Sequence, residues 1–178
     1  MRGLLSSCMA ASVIFGVSPA TSASCLADLM SQDANALVAS MEGASSPHLW
    51  HGSGCYSDQG DPNACDWATE IKADERIGAD RRLVILNSSH RTGSGAWDYV
   101  RVYGCSAGQL ELLFEEKFLY GVSKEEVSPE EIVLVAGYWR SGDPNCCPSA
   151  RARHTLRWDS QKGRYLKQGF ALLPLEKK

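Results

Sequence analysis

The sequence predicts an α+β domain in which an N-terminal helix packs on an antiparallel β-meander with disulfide-stapled loops. Three observations carry that expectation. Apolar residues recur near the helical period between Ser24 and Gly43. After Asp66 the pattern changes to alternation or to short apolar runs separated by turn residues. Of the seven cysteines, only Cys8 falls before residue 24, leaving an even set of six suited to an oxidising compartment. With 178 residues, 44% hydrophobic and 22% charged, the chain can build one core and has the composition neither of a disordered tail nor of a multispanning membrane protein.

Met1-Arg2, the uncharged stretch Leu4 to Val17 and the small residues Ser18 to Ala23 follow the order of a secretory signal peptide. Residues 1–23 are read as that signal and residues 24–178 as a single exported domain, periplasmic or secreted. The apolar stretch falls short of the roughly 20 residues a spanning helix needs, and no later segment supplies them. Cleavage after Ala23 would place Cys25 near a mature terminus. Ser22 stands where a lipoprotein box wants Leu, so lipid anchoring at Cys25 is not expected. Without Arg2 the count is 17 basic against 21 acidic residues, net −4, which predicts no nucleic-acid partner.

The elements follow in order. Leu26, Leu29, Met30, Leu37, Val38 and Met41 mark a helix over Ser24 to Gly43, with Gly43 as its stop. Ala44 to Asp66, rich in Gly, Ser, Pro and Asp, reads as a loop stapled by Cys55 and Cys65. Arg82 to Leu86 is a strand and Ser88 to Ala96 a connection. Asp98 to Tyr103 alternates and turns through Cys105-Ser106-Ala107-Gly108 into Leu110 to Lys117, a β-hairpin. Ser128-Pro129-Glu130-Glu131 has the form of a helix start, limited to one turn by the β-branched run after it. Ile132 to Trp139 reads as a central strand. Arg153 to Trp158 and Tyr165 to Phe170 form a last hairpin through Ser160-Gln161-Lys162-Gly163.

Charge is segregated. Between Leu110 and Ile132 there are seven Glu against two Lys, and between Arg151 and Lys167 six Lys or Arg against Asp159. Neighbouring strands whose charges offset each other, or solvated faces, account for this; an anionic-ligand site is the other reading.

The sharpest local motif is Gly142-Asp143-Pro144-Asn145-Cys146-Cys147-Pro148-Ser149, good turn chemistry around a cysteine pair. A similar Gly-Asp-Pro-Asn tetrad occurs at Gly60 to Asn63. Together with Thr155-Leu156-Arg157-Trp158 and Gly163, the motif resembles the signature of the LppP/LprE-type family of exported bacterial proteins, over roughly the last third of the chain. That resemblance implies a bacterial envelope protein and brings no catalytic residue or cofactor. A weaker similarity relates Ala73 to Glu116 to the strand pattern of FG-GAP-like repeats, whose calcium loop survives only as Asp74, Gly78 and Asp80. Calcium is not expected.

The disulfide candidates are Cys25, Cys55, Cys65, Cys105, Cys146 and Cys147. Cys146 and Cys147 either bridge each other in a reducible vicinal disulfide or pair elsewhere, with Cys105 and Cys25 available. No Cys-x-x-Cys spacing supports a catalytic dithiol. His48, His51, His90 and His154 lack a metal-ligand pattern. The doublets Glu115-Glu116, Glu125-Glu126 and Glu130-Glu131 place strand neighbours on opposite faces, which bars paired-carboxylate catalysis. Trp50 suits a binding surface, whereas Trp67, Trp139 and Trp158 suit a core. Asn87-Ser88-Ser89 is a glycosylation sequon, relevant only in a eukaryotic source. No catalytic, cofactor-binding or metal residue stands out. The expectation is therefore a non-enzymatic binding or scaffold domain of the periplasm or cell envelope, with a possible protein partner there. The alternatives are a thiol-redox protein using Cys146-Cys147 and a secreted inhibitor presenting the Cys55-Cys65 loop.

Overall fold

The computed structural model describes residues 19–40, 54–56, 65–90, 96–119, 121–144 and 147–174. Two helices, α1 (Pro19–Ser31) and α2 (Ala34–Ser40), precede nine described strands. These are β1 (Gly54–Tyr56), β2 (Trp67–Ile77), β3 (Arg81–His90), β4 (Ala96–Ser106), β5 (Gln109–Leu119), β6 (Ser123–Val127), β7 (Glu131–Tyr138), β8 (Ala150–Asp159) and β9 (Arg164–Leu172). Strands β1 to β5 form sheet I and β6 to β9 form sheet II; each sheet is an antiparallel meander in sequence order. The expected antiparallel meander is present, but the molecule is mostly β, and its helical part is a short pair rather than one long element.

Asp33 breaks the helix predicted over Ser24 to Gly43. Its carboxylate accepts from the Asn35 amide at 2.8 Å and its carbonyl accepts from the Leu37 amide at 2.9 Å, the geometry of an N-cap opening α2. The apolar stripe survives the break. Leu29, Leu37 and Val38 pack together on Val84, Leu86, Tyr99 and Tyr103 of sheet I.

The opposite face of sheet I meets sheet II. Leu83, Ile85, Val100 and Val102 join Ile132, Leu134, Ala136, Leu156 and Tyr165 in the main core. Sheet I is thus buried on both faces at its centre, and Arg81 to Leu86 is an unbroken buried run rather than an alternating one. Two arginines fasten the helices to the sheet. Arg82 grips Asp74 through two 2.6 Å hydrogen bonds and donates to the Leu29 and Gln32 carbonyls at 2.8 and 2.7 Å; Arg76 donates to Met30 at 3.0 Å. These carbonyls belong to the last turn of α1 and its exit, where the helix leaves acceptors unsatisfied. Asp74, one of the residues kept from the calcium-loop likeness, is thereby committed to Arg82.

Several connections differ from the sequence expectation. The segment read as a Ser88 to Ala96 connection contributes strand at both ends, because β3 runs to His90 and β4 starts at Ala96. Within the predicted Ala44 to Asp66 loop, Gly54 to Tyr56 pairs with β2, setting Cys55 opposite Ala68; most of that loop lies outside the described residues. Ser128 to Glu131 starts no helix. The Ser128 amide donates to the Glu131 carbonyl at 2.8 Å and the Glu131 amide to Ser128 Oγ at 3.0 Å, closing a turn from β6 into β7 around Pro129. The β4–β5 hairpin turns through Ala107 and Gly108, both with positive φ (50° and 81°), as the twist-matched two-residue turn requires.

Candidate functional site

Cys25 and Cys105 are bonded to each other, across 80 residues, with Cα atoms 6.1 Å apart. The bridge fixes α1 to β4 and removes both as partners for Cys146 or Cys147. Cys65 and Cys147 each take part in a disulfide as well. The side chain of Cys55, and Asn145 and Cys146 as a whole, lie outside the described residues, as do His48, Trp50 and His51.

The Gly142 to Ser149 motif forms the β7–β8 connection. Asp143 accepts from the Arg140 amide at 2.7 Å and from the Ser149 amide at 2.9 Å, so one carboxylate ties both ends of the loop; these bonds hold it below the ordinary aspartate range. Trp139 Nε1 and the Cys147 amide both donate to the Pro144 carbonyl, at 3.2 and 3.0 Å, and Gly142 supplies φ +92°. Every described polar contact in the motif serves loop closure.

The segregated charges meet across strands. Arg153 forms a two-point ion pair with Glu125 (2.5 and 2.7 Å), holding that carboxyl low; Arg157 pairs with Glu131 at 2.9 Å, and Lys167 with Glu116. Glu115 and Glu116 do point to opposite faces. Glu115 holds Arg101 at 2.7 Å under the helices, while Glu116 meets Lys167 of sheet II. Among the described residues no group of three His, Cys, Asp or Glu is placed to hold a metal.

The aromatic residues divide between core and seams. Arg81 lies over the Trp158 ring at 4.2 Å and donates to the Pro129 carbonyl (2.8 Å) and the Tyr165 hydroxyl (3.1 Å). Burial pushes Tyr165 up to about 12, so it stays a neutral donor. Trp67 packs on Trp97 and His90. His154 sits between Phe118 of sheet I and Phe170 of sheet II, ring centroids 5.0 and 5.7 Å away; burial, then Lys167, lowers its pKa.

A groove of about 380 Å³ runs along β8 and β9, lined by Arg153, Thr155, Arg157, Gln168, Gly169, Phe170 and Ala171. Register places Arg153, Thr155 and Arg157 on the outer face of sheet II, opposite Ala171, Gly169 and Leu166. The pairing shifts between Thr155 and Leu156, where Gln168 is the extra residue of a β-bulge. Gly169 has φ +140°, a conformation that side chains disfavour, and the space where its Cβ would project is empty. The backbone is therefore bare at Gly169, opposite Thr155 and between the two arginines. Sequence reasoning noted the arginine excess but not the groove. The isolated glycine inside a strand pattern was the available signal.

Compared with known proteins, the chain matches no family model, no curated protein and no solved structure.

Proposed function

We propose that this chain is an exported, disulfide-tied β-sandwich that acts by binding rather than by catalysis, with the outer face of sheet II as its contact surface. One observation carries the reading: the bulge and Gly169 leave β9 without a side chain opposite Thr155, midway between Arg153 and Arg157 on β8. Bulges recur where a strand edge is adapted to a ligand, and an aligned arginine row favours carboxylate or phosphate groups. The signal-like N-terminus and the likeness of Gly142 to Ser149 to exported bacterial proteins support a periplasmic or envelope location.

The test is an amide-shift titration with hexaglutamate, an extended polyanion. Shifts are expected to cluster on 153–157 and 168–171, to weaken with added salt, and to vanish in Thr155→Trp, which fills the groove. Shifts spread evenly over the surface, or unchanged in Thr155→Trp, would remove this face as the binding site.

A further inference from the structure

Resting on the binding role just proposed, we infer that the partner is an extended peptide segment that pairs with the open edge of β9 as a fifth strand of sheet II, its side chains alternating acidic and apolar. Strand β9 ends the order β6-β7-β8-β9, so among the described residues one side of its backbone has no neighbouring strand in the sheet. The bulge at Gln168 divides that edge into two unlike halves. Arg164 to Lys167 carries charge, with Lys167 held by Glu116, and charge is the ordinary protection of an edge. Gly169-Phe170-Ala171-Leu172 carries none and is exposed throughout. Among the described residues, Phe170 and Leu172 are large hydrophobic residues left exposed, 51% and 49% accessible.

The two faces of this half-strand set the chemistry of the occupant. Phe170 and Leu172 stand opposite His154 and Ala152, on the face turned toward sheet I, and lie beyond the cover that sheet I provides. Apolar residues of an added strand would lie beside them. Gly169 and Ala171 share the outer face with Thr155 and Arg153. With strands about 4.8 Å apart, an added strand runs about 10 Å from β8; on that face Gly169 and Ala171 stand before Thr155 and Arg153, and Leu166 stands before Arg157. Acidic side chains on that face of the added strand run along exposed Arg164 of β9 beyond the bulge, with Arg157, which is 66% exposed and engages Glu131 through Nε, one strand further in behind Leu166. Main-chain pairing supplies affinity and the alternation supplies specificity, as in other strand additions.

The probe is the capped peptide Glu-Val-Glu-Val-Glu-Val, compared with Lys-Val-Lys-Val-Lys-Val and with an N-methylated Glu-Val version that keeps the side chains but loses backbone donors. Saturation with the first peptide is expected to slow amide exchange in 169–172 at least tenfold. Leu172→Lys should weaken binding about tenfold, and Arg157→Gln should narrow the preference for Glu over Lys. Equal binding of the N-methylated peptide, or unchanged exchange in 169–172, overturns strand addition. Equal binding of the Lys peptide overturns the acidic assignment. A peptide-free dimer that protects 169–172 assigns the edge to a second copy instead. If hexaglutamate maps to the outer face while β9 exchange stays unchanged, the binding role stands and strand addition falls; if neither ligand binds, both fall.

Discussion

Asp98 and Arg101 lie three residues apart on β4, face opposite layers and are both buried, at 0% and 1% accessibility. Their surroundings differ. Asp98 accepts from Lys72 Nζ (2.8 Å), Asn87 Nδ2 (2.7 Å) and the Val122 amide (2.6 Å), so the carboxylate is met on all sides and anchors the chain where it leaves sheet I for sheet II. Arg101 donates through Nε to Glu115, while Nη1, Nη2 and the nearby Tyr103 hydroxyl have no hydrogen-bond partner. Burial raises the Tyr103 pKa and Arg101 pulls it partly back, which keeps the hydroxyl protonated. Removing a satisfied buried charge strands its partners, so Asp98→Ala is expected to lose about 3–5 kcal/mol in urea unfolding. Arg101→Met deletes two unsatisfied nitrogens and leaves Glu115 with access to water. Its change should lie within about 1 kcal/mol of zero or be a gain. Equal losses in the two variants would contradict this assignment.

Among the elements, helix α1 is fastened by the Cys25–Cys105 bridge at its middle and by Arg76 and Arg82 at its C-terminal end. Closing a loop of 80 residues corresponds to about 4–5 kcal/mol in the chain-entropy account. The double variant Cys25→Ser with Cys105→Ser is expected to lose up to that amount in denaturant unfolding. Amide exchange in α1 should accelerate more than in β7 or β8. A uniform acceleration would mean that the helix layer and sandwich open together.

The elements also show what the sequence made legible. The strands in Asp98 to Tyr103, Leu110 to Lys117, Arg153 to Trp158 and Tyr165 to Phe170 were readable from their alternation or apolar content, although β4 is core on both sides and β8 on one. Strand β2 was not, since the bulge at Lys72 breaks its alternation, its exposed positions Glu70, Lys72, Asp74 and Arg76 are all charged, and Ala73 and Glu75 dilute the side turned toward sheet II. Strand β6 offers only Val127 as an apolar residue, so nothing in its pattern marks it. The candidate site was half legible. Arg153 and Arg157 were visible as charge, but the exposure of Phe170 and Leu172 depends on where sheet I stops, a tertiary fact that local pattern does not carry.

At the scale of the molecule, the two sheets meet at a seam containing His154, packed between Phe118 and Phe170 and influenced by Lys167 and Glu116. Burial lowers this histidine below its ordinary 6.5, so the unfolded chain binds the proton more readily than the folded one. Stability contributed by the seam is full above about pH 6.5, falls as the pH drops below it, and levels off once the folded state also takes the proton. Asp143 and Glu125, held low by their partners, lose their contribution only in more acid solution. Melting temperature followed from neutral to mildly acid pH is expected to decline, and to decline less in His154→Phe. An identical slope in that variant would move the cause elsewhere.

The meander has a kinetic meaning as well. Within each sheet every strand pairs with the next along the chain, so sheet I can be assembled before the residues of sheet II have left the ribosome. Until they arrive, Leu83, Ile85, Val100 and Val102 present an apolar wall with nothing against it. The vulnerable species for aggregation is thus the half-emerged chain, and a holdase that shields that wall would matter most in the interval between the synthesis of β5 and that of β8.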